Sequence, residues 1–200
     1  MKKKIKIFIV SYFLFLAIGV ISCNDNCGGN YKNRYNITAI NWEEIKVESI
    51  NGDYLTYTLE NEVNFNEYAI SMLPLKNYYS AAIDFSVISK SYACSPVAPT
   101  TNDKITNIEV VTNNNFDTTH LEGSDISDFF NIVSYSPNFQ ESNITNFLDL
   151  NHNQLDSFML VLKKAPLESG EMNFTVKITL DANELEYYEF TTNSITITND

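Results

Sequence analysis

The chain has 200 residues, of which 44% are apolar, and its 25 acidic side chains outnumber 13 basic ones to give a net charge of −12 at pH 7. That size suits one domain or two small ones, with ample apolar content for a packed core. The acidic balance excludes nucleic acid as a partner, since phosphate backbones need clustered Lys and Arg, and excludes attachment to anionic lipid through a basic patch.

The N-terminal segment carries the most specific pattern. Lys2, Lys3, Lys4 and Lys6 flank an apolar run that is uncharged from Ile7 to Ile21. The lysines keep the N-terminus on the cytoplasmic side while the run enters a bilayer. Ile5 to Ile21 is marginal for a spanning helix, which takes about 20 residues. The run closes on Val20-Ile21-Ser22-Cys23. This resembles the bacterial lipobox: an aliphatic residue, a tolerant position, a small residue, then Cys. The resemblance implies that Cys23 is acylated on its thiol, that the bond before it is cut, and that the new amino terminus is acylated too. Several acyl chains on one residue anchor stably where one does not. The expected division is a signal peptide over 1–22, an acylated Cys and short tether over 23–34, and a single domain over 35–200. Loss of residues 1–22 removes four lysines and no acids, so a chain of −12 becomes one of −16. The membrane partner is then reached through acyl chains alone. The expected address is the cell envelope, at the outer membrane. The face is left open, because Asn24-Asp25-Asn26 has one acid where some surface-exported lipoproteins of the Bacteroidetes carry a run.

With Cys23 assigned to lipid, Cys27 and Cys94 remain as an even pair in an oxidising compartment. A bond between them would staple the tether to mid-chain, worth about 4 kcal/mol by chain entropy. It also requires Cα atoms within about 7 Å, so two free thiols stay open as the alternative.

Along the domain, Asn36 to Trp42 alternates weakly and Ile45 to Ile50 alternates apolar with polar. Asn51-Gly52-Asp53 is a turn signal, and Tyr54 to Leu59 restarts a β-prone run, so a hairpin across Asn51-Gly52 is expected. Tyr68 to Leu75, Ala81 to Lys90 and Lys104 to Thr112 read as further strands. A short helix is expected over Gly123 to Val133: Ile126, Phe129, Phe130 and Val133 share a helical face, and Glu122, Asp125 and Asp128 read as helix N-terminal acids. Ser136 to Gln154 reads as irregular. Phe158 to Lys163, Met172 to Leu180, Leu185 to Thr191 and Ile195 to Thr198 read as closing strands. Closely spaced strands without long crossover helices predict a mainly β protein, an antiparallel β-sandwich, immunoglobulin-like or related, with one short helix.

The lipobox, the Cys soon after it, and the tail Lys163-Lys164-Ala165-Pro166, Phe174-Thr175-Val176-Lys177-Ile178-Thr179-Leu180 and Thr191-Thr192-Asn193-Ser194-Ile195-Thr196-Ile197 resemble uncharacterised lipoproteins of gut Bacteroidetes. The likeness is one of pattern across most of the chain. It implies an address and a fold, and carries over no activity and no site residue.

Chemical motifs are sparse. There is no Gly-x-Ser-x-Gly, no His-Glu-x-x-His and no phosphate-cradling glycine loop, and no cofactor is expected. His120 and His152 are far apart in sequence. Asp149, Asn151, Asn153 and Asp156 place oxygen ligands as a calcium loop would, but Gln154 stands where a glycine bend is needed and Leu160 where a bidentate Glu belongs. A solvated turn is the preferred reading. Asp117-Thr118-Thr119 resembles the short acceptor for O-glycosylation of exported Bacteroidetes proteins, with the glycan on Thr118. Trp42 and the pairs Tyr78-Tyr79 and Tyr187-Tyr188 are candidates for a sugar-binding face, although Tyr is also an ordinary strand residue. The expected function is therefore a non-enzymatic binding or structural accessory role in a lipid-anchored envelope protein, its protein or glycan partner unnamed by the sequence. The alternatives are a glycan-binding module of a polysaccharide-uptake system and, third, an envelope hydrolase.

Overall fold

The computed structural model describes residues 33–50, 52–80, 98–135, 140–150, 155–182 and 184–199. The chain divides into two compact units, one of residues 1–33 with 80–98 and one of 34–79 with 99–200. Apart from the strand-end residues Asn33 and Ser80, the sheet framework belongs to the second unit. Cys23, Cys27, Cys94 and the strand expected over Ala81 to Lys90 lie outside the described residues.

The described residues are mainly β, in largely antiparallel sheets with one short α-helix. The strands are β1 (Asn33–Ile50), β2 (Asp53–Thr58), β3 (Glu62–Asn64), β4 (Tyr68–Ser80), β5 (Lys104–Thr112), β6 (Phe130–Ser134), β7 (Gln140–Asn143), β8 (Phe158–Leu162), β9 (Gly170–Met172), β10 (Phe174–Asp181), β11 (Tyr187–Thr191) and β12 (Ile195–Thr198); helix α1 is Ile144–Asp149. Six strands form one sheet in the order β2-β1-β4-β8-β6-β7. Two three-stranded sheets, β11-β10-β5 and β3-β12-β9, complete the architecture. β3 pairs with β12 in parallel.

The hairpin forms at the expected place. Ile50 pairs with Asp53 across the turn, and Gly52 takes a φ of 89°, a conformation open to glycine because it lacks a Cβ. The weak alternation before it also has a cause. Tyr35, Ile37 and Ile40 all face the main core, so β1 shifts phase between Ile37 and Ile40 as a bulge would shift it. Ile45 and Val47 then turn to the opposite face and join a second cluster. In β10 the pattern is regular: Phe174, Val176, Ile178 and Leu180 are buried while their neighbours are not.

The main core lies between the six-stranded sheet and the two smaller ones. Phe174 of β10 packs at 5.6 Å from Tyr68 of β4 and 5.5 Å from Phe130 of β6, bridging the layers. On the other face of the large sheet, Ile45, Val47, Tyr54, Ala69, Val133, Met159 and Val161 form the second core. This is why every position of β8 is buried.

Two expectations fail here. The helix over Gly123 to Val133 is instead a single 3-10 turn at Ser127–Phe129 followed by strand β6. The Asp125 carboxylate accepts hydrogen bonds from the Ser127 backbone at 2.9 Å and from its hydroxyl at 2.5 Å, making a turn where a helix cap was expected. The Ile126 N–H donates to Val110, and Phe130 to Ser134 pairs with β8. With Phe130 and Ile132 needed on one face and Val133 on the other, extended backbone buries all three. The helix appears instead at α1, inside the stretch expected to be irregular. The Asn143 side chain caps it by accepting from the Asn146 N–H at 2.7 Å, and Ile144 and Phe147 enter the main core.

Candidate functional site

A surface groove of about 790 Å³ runs beside the middle of β1. Asn41, Trp42 and Glu43 form one wall. Ser71 and Leu73 of β4, Tyr135 just after β6, Ser157 just before β8, and Tyr188 of β11 supply the rest. A second groove of about 700 Å³ shares Trp42 and Glu43 with it. It continues past Leu59, Glu60 and Asn61 on one side and Glu171, Asn193 and Ser194 on the other.

Trp42, the sole tryptophan, lines both grooves. Phe190 stacks on its ring, with centroids 4.3 Å apart and planes within 16°. Phe190 is buried, and Tyr188 lies two residues earlier on the same face of β11. The indole is thus backed by a core residue that fixes its plane; it is half-buried against the main core, and its exposed part lines the grooves.

The polar groups divide into spent and available. The Glu44 carboxylate accepts from the fully buried Tyr68 phenol at 2.9 Å, and from the Asn193 backbone and side-chain amides at 3.0 and 2.8 Å. It clamps the β11–β12 connection to β1. Burial raises the Tyr68 pKa well above the ordinary value, and the Glu44 charge raises it further. Tyr135 is likewise raised, first by burial, against a hydrogen bond with Ser71 and with a contribution from Glu43. Glu43, Glu60 and Glu171 give the second groove an acidic lining, and among the described residues neither groove is lined by a Lys or Arg.

Of the aromatic candidates, Trp42 and Tyr188 come together. Tyr78 and Tyr79 do not line the grooves; Tyr78 packs against Tyr35 at 5.7 Å. Tyr187 is exposed and donates to Glu189. Tyr135, Ser71, Leu73 and Ser157 are not legible in the sequence as groove residues, because they come from different strands and strand ends and no local pattern joins them.

The other candidates lie elsewhere. Thr118 is exposed, in a tightly tied loop. Its neighbour Asp117 receives Lys164 Nζ at 2.9 Å, Thr119 through both its backbone and its hydroxyl at 2.8 and 2.7 Å, and the His120 N–H at 2.8 Å. These partners, Lys164 first, hold the Asp117 carboxyl well below the usual carboxylate range. The His120 Nδ1 lies 2.8 Å from Asp117 and 2.9 Å from the Thr119 hydroxyl. A catalytic relay needs the acid on one ring nitrogen and the nucleophile on the other. Here both crowd Nδ1, so the cluster acts as a loop clamp. Of the calcium-loop residues, Asp156 is ion-paired with Lys76 at 2.9 Å and Asp149 ends α1. Asn151, Asn153 and His152 lie outside the described residues. Among the described residues no cluster of three or more His, Cys, Asp or Glu side chains has the spacing of a metal site, and no helix is long and apolar enough to cross a membrane.

Comparison of the sequence with protein-family models and with curated proteins finds no match to either.

Proposed function

We propose that this chain is a lipid-anchored envelope protein that works by binding rather than catalysis, and that it binds through the grooves at Trp42. The anchoring rests on the lipobox-like Val20-Ile21-Ser22-Cys23, with acylation at Cys23 and the outer membrane as its address. The observation that carries the binding role is the Trp42 ring, stacked on Phe190 and lining two grooves. A preformed concave surface with rigid aromatics and a few polar groups is what a ligand site requires. The carboxyls with resolved shifts, Asp117 and Glu141, are lowered, the opposite of what a general acid at neutral pH needs. A Cys27–Cys94 bond holding the tether and a glycan on Thr118 belong to the same exported reading.

Two measurements test it. Cys23→Ser should move the protein from the membrane to the soluble fraction, and retention in the membrane would sink the anchor. Thermal unfolding of the full chain against a mixed library of sugars, peptides, amines and lipids should give at least one stabilising compound whose effect Tyr188→Ala removes. A library without such a compound would end the binding role at this groove.

The second reading, a glycan-binding module serving polysaccharide uptake, is favoured by the pairing of aromatic rings with amide, hydroxyl and carboxylate side chains in the same grooves.

A further inference from the structure

We propose that the two grooves act as one extended site for a neutral oligosaccharide, with Trp42 at its centre. The inference rests on the binding role given above and names the class of ligand. Three observations carry it.

The first is size. Each groove, at about 790 and 700 Å³, already suits a drug-sized ligand, so two that share Trp42 and Glu43 suit an oligomer rather than a single small molecule. The second is the lining chemistry. Trp42 and Tyr188 offer ring surface to the apolar C–H faces of sugar rings. Asn41, Asn61, Ser71 and Ser157 can each donate and accept, and Glu43 and Glu60 only accept. The complementary ligand is rich in donors, as a chain of hydroxyls is. The third is charge. Lining carboxylates, with no base among the described lining residues, repel phosphate, sulfate and uronate groups, which argues against acidic glycans.

A basic peptide would also meet the carboxylates, but the geometry favours a neutral chain. The Glu44 carboxylate is spent on Tyr68 and Asn193, and the first groove has Glu43 as the one acid among its described lining residues. Trp42 also lines the acidic second groove, but Tyr135 and Tyr188, the other aromatics, line the first, where a cation would find aromatic rings with a single carboxylate.

Because Trp42 is the sole tryptophan, its emission reports occupancy directly. The full chain in detergent would be titrated with neutral hexasaccharides (α-glucan, β-glucan, β-mannan and β-xylan), the matching disaccharides, hexagalacturonate and hexalysine. At least one neutral hexasaccharide should shift the emission saturably, and bind about tenfold or more tighter than its disaccharide, which can fill one groove only. Tyr188→Ala and Leu73→Arg should each weaken it by about tenfold or more. Leu73 is 49% exposed, so that variant keeps the fold while placing a bulky side chain in the groove. Equal affinity for hexamer and dimer would overturn the single extended site. Saturation by hexalysine or hexagalacturonate without any neutral hexasaccharide would overturn the ligand class while leaving the binding role intact. No response to any probe, in emission or calorimetry, would overturn the proposal, and the mixed-library unfolding experiment would then decide whether the groove binds anything else.

Discussion

On one face of the six-stranded sheet, Tyr68 and Phe130 meet Phe174 of the facing sheet. On the other face, Ala69, Val133, Met159 and Val161 meet Ile45, Val47 and Tyr54, which belong to the same sheet. The first face is closed in the manner of a sandwich, by a second layer about 10 Å away. The second is closed by curvature. In a flat sheet β2 and β7, five strand spacings apart, would be separated by about 24 Å. Here Tyr54 of β2 donates a 2.5 Å hydrogen bond to Glu141 of β7. Lys163, just after β8, pairs with Glu141 at 2.9 Å and sits 5.8 Å over the Tyr54 ring. The sheet curls until side chains of its two edge strands meet, and a polar latch spans the gap. One sheet thus closes one face with apolar area and the other with shape and a few directed bonds, so the two faces should respond differently to substitution and to pH.

The largest effect is expected in the main core. Phe174→Ala should cost about 3–5 kcal/mol, read by chemical denaturation, since it empties the junction of three strands. A loss under about 1 kcal/mol would mean that the layers do not meet there as described. Met159→Ala in the second core should cost about 2–3 kcal/mol, the low end for a buried Met, because a small core on a curled face can close in on the gap. In thermal melts each kcal/mol should appear as about 2–4 °C for a domain of this size. Equal costs at the two positions would erase the distinction between the faces.

The latch is expected to be worth less. Tyr54→Phe or Glu141→Gln should cost about 1 kcal/mol, because the Glu141 carboxylate is partly exposed and solvent screens it. A double-mutant cycle between the two should show coupling, whereas a cycle of either with Phe174→Ala should be additive.

The smallest effect is one of pH. Burial pushes the Glu141 carboxyl up, but hydrogen bonds from Tyr54 and Asn131 and the Lys163 charge outweigh it and bring it down to about 2. An unfolded Glu titrates near about 4.3. The group therefore adds stability above that value and loses it as pH falls from about 4.3 toward 2. The stability of Tyr54→Phe should decline less over that window, and parallel pH profiles would remove Tyr54 from the latch.

Much of the strand inventory is legible in the sequence. Lys104–Thr112, Phe158–Leu162 and Ile195–Thr198 carry strand character in their own residues, and the Asn51-Gly52 turn sets the register of its hairpin. The region from Gly123 to Leu150 misleads because its spacing satisfies two templates. Ile126, Phe129, Phe130 and Val133 fit a helical stripe, yet Phe130 and Val133 serve opposite faces of a doubly buried strand. Asn143, followed by Ile144 and Phe147, carries a true capping signal that the abundance of Asn around it obscures. At the candidate site, Trp42 and Tyr188 are readable as aromatics, but their meeting is not, since they lie on strands of different sheets.

The amino-acid sequence alone determined the strand-rich class, the sites of most turns and the acidic character of the surface. These depend on local quantities: side-chain period, glycine freedom and the count of charges. Tertiary structure alone decided which face each apolar residue serves, where the helix falls, that the sheet curls to join Tyr54 with Glu141, and that Trp42 rests on Phe190 between two grooves. Each of these depends on contacts between residues far apart in the chain, whose free energy is set by burial and pairing across sheets and leaves no local trace.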